Sequence, residues 1–259
     1  MQAKKSLGQN FLMHKKTAER IADAVTVSPE DVVVEIGPGT GMLTAPLLAR
    51  AKKVIAIEAD LELAEKLQET FAKEITEGRL ELVTRDVRTI DFSLFPEGYR
   101  VVANIPYYIT GEIIRSFLEA TPQPQSMTLL VQKEVAERIA RSKKESLLSL
   151  SVKVFGTPKY AFTVPRGAFV PAPKVDSAVL TVKDISREQF ASEKEERWFF
   201  SLLHAGFAHK RKLLARNLEA LLPRARVQES LLQEKLSEKV RAEDLSVTNW
   251  LALAKNTVR

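Results

Sequence analysis

The chain has 259 residues, of which 45% are hydrophobic and 28% charged, with a formal net charge of +6 and no cysteine. This length suits one large domain, or an ordinary domain with a smaller companion, and a core large enough to need no covalent staples. The missing thiols exclude disulfides, zinc–thiolate centres, iron–sulfur clusters and a thiol nucleophile, and the three histidines (His14, His204, His209) are too few for a multi-histidine metal site. The longest uncharged runs, Ile36–Ala49 and Ala120–Gln132, are broken by Gly and Pro and fall short of the ~18 apolar residues of a membrane span. The N-terminus carries charge but no apolar signal region. The expectation is a cytoplasmic protein with no metal and no membrane partner.

The positive charge is concentrated. Residues 1–20 hold Lys4, Lys5, Lys15, Lys16 and Arg20 against Glu19 alone. Residues 204–226 hold Lys210, Arg211, Lys212, Arg216, Arg224 and Arg226 against Glu219. Two basic blocks on an otherwise slightly acidic chain point to a polyanion, the alternative being solvated helix faces.

In chain order, Asp31–Ile36, Lys53–Ile57, Leu80–Thr84, Val101–Ala103 and Thr128–Val131 read as short strands, apolar on both faces as in a covered parallel sheet. Helical patterns lie between them at Met42–Arg50, Leu61–Lys73, Ile113–Ala120 and Lys133–Ser142. This alternation predicts an α/β fold with a doubly wound, mostly parallel sheet. Lys159–Val164 and Ser177–Val182 read as an antiparallel pair, joined by a loop stiffened by Pro165, Pro171 and Pro173. Beyond Asp184 only helical patterns follow: Glu193–Ala208, Lys210–Leu222, Val227–Leu236 and Ser246–Ala254. The expected division is a larger domain over 1–184 and a small all-helical domain over 185–259.

Four motifs carry chemistry. Val32–Gly41 is a strand running into Gly37-Pro38-Gly39-Thr40-Gly41, a turn whose missing Cβ atoms let a ligand approach the backbone. Its Gly-x-Gly-x-Gly spacing, with Glu35 in the strand end, differs from the dinucleotide fingerprint and resembles S-adenosylmethionine-dependent methyltransferases. The next strand ends in Glu58-Ala59-Asp60, where Glu58 suits a ribose and Asp60 suits the cap of the following helix. Asp86, after the third strand, suits an adenine amine.

The fourth motif is Asn104-Ile105-Pro106-Tyr107-Tyr108. The exocyclic amine of adenine is a poor nucleophile because its lone pair is delocalised into the ring. Accepting both of its N–H hydrogens draws the nitrogen towards tetrahedral geometry. The Asn104 amide oxygen and the Ile105 carbonyl, stiffened by Pro106, can do this, and Tyr107 offers a face for a flipped base.

With these motifs in order, the chain resembles the ribosomal RNA adenine N6-dimethyltransferases, and among them the small-subunit type. Gln9-Asn10-Phe11-Leu12, Gln132–Arg138, Phe169–Ser177 and Phe207–Lys212 add to the likeness, which spans nearly the whole chain. The resemblance implies S-adenosylmethionine as cofactor, with Gln9, Asn10 and Leu12 lidding its methionine part. Gly37 and Gly39 would form its floor, with Glu58 on the ribose, Asp86 on the adenine and Asn104 beside the methyl. Phe169 would stack on the target base opposite Tyr107. Lys210, Arg211, Lys212 and Arg216 would dock RNA phosphates. The implied reaction is N6,N6-dimethylation of two adjacent adenosines of 16S ribosomal RNA by a monomeric enzyme, with a part in small-subunit maturation.

Three stretches depart from the family pattern: His14 in place of Asp, Gly111-Glu112 in place of Ser/Thr-Pro, and residues 143–148 in place of a Tyr-Gly-Arg segment. The rival readings are a large-subunit adenine methyltransferase, a non-catalytic ribosome-assembly factor and a nicotinamide oxidoreductase.

Overall fold

The computed structural model describes residues 8–257, so Lys4 and Lys5 lie outside the described residues. In chain order the elements are β1 (Phe11–Leu12), α1 (Lys15–Val25), β2 (Val32–Ile36), α2 (Thr44–Leu48), β3 (Lys53–Glu58), α3 (Leu61–Thr70), α4 (Ala72–Thr76), β4 (Leu80–Thr84), β5 (Arg100–Asn104) and α5 (Thr110–Glu119). There follow β6 (Ser126–Gln132), α6 (Lys133–Ala140), α7 (Leu147–Phe155), β7 (Thr157–Val164), β8 (Phe169–Val170), β9 (Ser177–Lys183), α8 (Glu193–Gly206), α9 (Leu214–Leu218), α10 (Arg224–Gln233) and α11 (Val247–Thr257).

The chain forms two compact units. The first holds the chain up to Glu137 together with Thr157–Ile185, and the second holds Arg138–Gly156 together with the chain from Ser186. The division at 184/185 therefore misses one segment, α7 and its approach, which packs with the later helices. The cause is aromatic. Phe155, at the end of α7, stacks on Phe200 with ring centroids 5.7 Å apart and meets Phe190 edge-on at 5.9 Å. Residues 143–148 serve this unit as well. Ser146 caps α7 in a reciprocal box with Ser149, Lys144 pairs with Asp244, and Glu145 pairs with Lys153 at 2.5 Å.

The first unit is built on a seven-stranded sheet in the order β4-β3-β2-β5-β6-β9-β7. The five strands from β4 to β6 are parallel, and β9 and β7 add antiparallel to the edge. Val33, Val34, Val101 and Val102 are fully buried, as strands covered on both faces require. After β2 the chain winds towards β4, and from β5 it winds the other way. The switch of direction lies between β2 and β5, whose C-terminal ends form the crevice where such sheets bind ligands.

Local chemistry sets the element ends. Asp60 caps α3, accepting from the Glu62 N–H at 3.1 Å. The pattern Leu61–Lys73 breaks into α3 and α4 at Phe71, whose buried ring lies against Gly41. α1 has the 3–4 spacing of Ala18, Ile21, Ala22 and Val25 on its buried face. Its N-cap, His14, makes no capping bond and its first turn holds no acid, so its start carries no N-terminal sequence signal. No helix among the described residues is long and apolar enough to cross a membrane.

Candidate active site

The crevice at the switch point is a cleft of about 1110 Å³, lined by residues 8–12, the glycine turn, Glu58, residues 85–88 and residues 104–109. Part of that space is open to solvent. Gln9, Asn10, Leu12, Gly37, Gly39, Glu58, Asp86, Asn104, Ile105, Pro106 and Tyr107 all line it.

The floor is the turn after β2. Gly37 has φ +69° and a Cβ there would stand 3.0 Å from the Asn104 carbonyl oxygen. The turn after β2 and the end of β5 thus come close together where position 37 has no side chain. At Gly41, with φ +79°, a Cβ would run into the Phe71 ring.

Glu58 does more than line the cleft. Its Oε2 accepts from the Gly39 N–H at 3.1 Å and its Oε1 from the Asp60 N–H at 3.0 Å, so the carboxylate ties the glycine turn to the end of β3. A carboxylate has about four acceptor positions, so these bonds do not use up its capacity. Burial pushes its pKa up, opposed by those backbone N–H groups. Asp86 faces the cleft with its charge fixed. Arg88 embraces it, with Nη2 to Oδ2 at 2.6 Å, and this pairing lowers the Asp86 pKa. Gln9 is anchored by Asp60 through Nε2 to Oδ2 at 2.9 Å, and Asn10 donates to the Gly8 carbonyl.

Asn104 ends β5 and donates from Nδ2 to the Asn10 carbonyl at 3.4 Å. That bond turns the amide so that its oxygen keeps its acceptor capacity. The Ile105 carbonyl accepts no hydrogen bond among the described residues. Pro106, at φ −56° and ψ 137°, holds the turn that follows. The Tyr107 hydroxyl is bonded to Ser177 Oγ at 2.6 Å, fixing a half-buried ring in the cleft wall.

Phe169 is not in the cleft. It is 2% exposed and belongs to the core. The sequence placed it as a base-stacking ring. β8 instead pairs antiparallel with β1 in a register that sets Phe169 opposite Leu12, and both side chains turn inward.

The structure adds residues to which the sequence assigns no role in the site. Phe11, Met42, Leu43, Leu63 and Tyr108 supply apolar lining, and the Asp-x-Arg spacing of Asp86 and Arg88 was the readable sign of their ion pair. Beneath the turn, Glu35 is 1% exposed with neither oxygen hydrogen-bonded, beside an equally unsatisfied Thr44 hydroxyl. Burial pushes the Glu35 pKa up to about 8, the Thr44 hydroxyl opposing and the Glu58 carboxylate adding to the rise.

Lys210, Arg211, Lys212 and Arg216 are exposed in the second unit. The expected helix Lys210–Leu222 is only α9, and the three consecutive cations lie in the turn before it. The buried Asn217 side chain shapes that turn by donating to the carbonyls of Gly206 (2.5 Å) and His209 (3.1 Å). No cluster of three or more His, Cys, Asp or Glu that could hold a metal ion occurs among the described residues.

Comparison with known proteins gives a consistent result. The family described as ribosomal RNA adenine dimethylase matches residues 1–258. The chain is 38% identical over 257 residues to ribosomal RNA small subunit methyltransferase A of Fusobacterium nucleatum, covering 97% of this chain and 96% of that protein. It is 37% identical over 272 residues to the protein of the same name from Lactobacillus acidophilus, covering 99% and 92%. Among solved structures it is similar to the 23S rRNA methyltransferase ErmE, with a TM-score of 0.79 and 29% identity over 96% of this chain and 100% of that one. A dimethyladenosine transferase from Plasmodium falciparum also gives a TM-score of 0.79, with 27% identity over 94% and 95%.

Proposed function

The chain belongs to the ribosomal RNA adenine dimethylase family, and from that premise we propose that it dimethylates N6 of two adjacent adenosines in the 16S RNA of the small ribosomal subunit, acting as a cytoplasmic monomer during subunit maturation. The observation that carries this reading is the convergence of the glycine floor and the Asn104–Tyr107 acceptor turn on one cleft. The curated relatives named above, at 37–38% identity, favour the small subunit over the 23S RNA of the 29% identical structure.

The residues present fit the family's cofactor. Glu58 retains acceptor positions for a ribose, Asp86 is an ionised acceptor for an adenine amine, and the turn at Gly37 and Gly39 exposes backbone without Cβ atoms. Gln9, Asn10 and Leu12 would close over the amino-acid end. Bound S-adenosylmethionine supplies an electrophilic methyl on a sulfonium.

The protein's own contribution is alignment of the amine, which can be worth up to ~7–11 kcal/mol of barrier. The Asn104 oxygen and the Ile105 carbonyl accept the two N6 hydrogens, and the Tyr107 ring supports the base. A monomethylated amine keeps one N–H for the same acceptors, so a second transfer needs no new machinery. Lys210, Arg211, Lys212 and Arg216 hold RNA phosphates.

Mass spectrometry of undermethylated small-subunit and large-subunit RNA, each incubated with the purified protein and cofactor, tests the proposal. Two neighbouring N6,N6-dimethyladenosines in the small-subunit RNA are expected. Modification confined to the large-subunit RNA, or none, refutes it.

A further inference from the structure

The ribbon formed by β1 and β8 has two faces of opposite character. Successive strand side chains point to opposite sides, and the register pairs Leu12 with Phe169 and Phe11 with Val170. Phe169 fills the core, and Leu12 packs in the same core where it borders the cleft. Phe11 faces the other way, lining the cleft against Gly39. Met13 continues that second face, its N–H donating to the Ala168 carbonyl at 2.9 Å. Yet Met13 is 51% exposed and Val170 is 58% exposed. Apolar side chains left open beside a ligand cleft mark an interaction surface.

The surrounding charge says of what kind. Lys15 and Lys16 follow Met13, Arg166 precedes β8 and Lys174 follows it, and all four are exposed. None of the four forms an ion pair among the described residues. The acid of this loop, Asp176, is half-buried and occupied by the Arg166 backbone N–H at 2.9 Å. Open apolar side chains ringed by unpaired cations complement a single nucleic-acid strand, whose bases pack on apolar groups while its phosphates meet Lys and Arg.

We propose that this face is a second nucleotide subsite, in which Met13 and Val170 pack against the base next to the one in the cleft while Lys15, Lys16, Arg166 and Lys174 hold the flanking phosphates. The proposal rests on the reading of the cleft as the seat of an RNA adenine, and it gives the neighbouring adenosine a place while its partner reacts.

The full chain is titrated with a stem-loop RNA carrying two adjacent adenosines, one replaced by fluorescent 2-aminopurine. Met13→Asp and Val170→Asp should each weaken RNA binding about tenfold, the scale of removing the support beneath one base, and relieve the 2-aminopurine quenching. Cofactor affinity should stay as in the wild type. Val170→Phe, which keeps an apolar surface, should bind RNA at least as well as wild type. Unchanged RNA affinity in both aspartate variants overturns the proposal, as does an equal loss in Val170→Phe. So does wild-type self-association in sedimentation that the aspartate variants abolish without touching RNA affinity, since the face would then cover a second copy. A wild type that neither binds nor methylates the RNA counts against the proposed substrate. A wild type that does both, matched by the aspartate variants, counts against this subsite alone.

Discussion

Replacing Glu35 with Gln should make the protein more stable as the pH rises. Both Glu35 oxygens are buried without hydrogen-bond partners, and burial, reinforced by Glu58, holds the proton on this carboxyl up to about pH 8. An unfolded glutamate releases it near the reference value of 4.5. Between those limits folding must take up a proton, so wild-type stability falls as the pH rises through the window. A span of about 3.5 units at 1.36 kcal/mol each amounts to about 5 kcal/mol. Gln is close in shape to the protonated acid and does not titrate. The stability gap between variant and wild type should therefore lie near zero at pH 4.5, widen steadily, and level off above pH 8. Urea unfolding of both proteins without cofactor, at closely spaced pH values, reads the gap directly, and titrating groups not coupled to Glu35 cancel. A gap that does not change with pH would show that Glu35 is ionised in the fold and refute the argument.

Asn104→Ala should slow methyl transfer by ~10²–10³, by analogy with the removal of one preorganised polar group from a transition state. Cofactor affinity should change little, and single-turnover rates at saturating cofactor decide the matter. Glu58→Ala should weaken cofactor binding and lower the melting temperature together, because the Gly39 and Asp60 N–H groups lose an acceptor worth ~1.5–3 kcal/mol each. Calorimetry that finds only one of the two effects counts against a shared role. Reversing Lys210, Arg211 and Lys212 should flatten the salt dependence of RNA binding by about 0.7–0.9 for each phosphate no longer neutralised, and an unchanged slope would mean that these groups only solvate their turn. His14→Asp should stabilise the fold by ~0.5–2 kcal/mol, because α1 has no side-chain cap and Lys15 and Lys16 oppose its dipole. Thermal unfolding that shows no gain would mean that the lost His14–Thr17 hydrogen bond, 2.9 Å in the wild type, offsets the new cap.

The strands of the parallel sheet were legible because each is a short β-branched or Leu-rich run, and β4 matched residue for residue. So was the acceptor turn, whose chemistry depends on neighbours in sequence. Pairings between distant segments were not. Nothing local in Phe11-Leu12 or Phe169-Val170 announces a strand of two residues, and only the β1–β8 register decides that Phe169 faces the core while Val170 faces out. Glu58 was read as a ligand contact, yet its hold on the Gly39 N–H appears only once β3 and the glycine turn are side by side. The helix expected at Lys210–Leu222 failed for a related reason, since a buried Asn217 reaching back to Gly206 and His209 outweighs the local periodicity.

The second unit is discontinuous, and this bears on the order in which the protein can be made. α7 leaves the ribosome before β7, β8 and β9, but the rings that cover Phe155, those of Phe190 and Phe200, are encoded some thirty-five and forty-five residues later. At ~5–20 residues per second, α7 waits several seconds with an apolar end bare while the sheet completes its last strands. During vectorial synthesis the helical unit is therefore the last to close, and a stop anywhere between Gly156 and Ser186 strands α7 without partners. Cutting the gene at the apparent boundary after Asp184 does the same in a recombinant fragment. A separable helical piece would need residues 138–156 joined to the chain from Ser186 by a new linker.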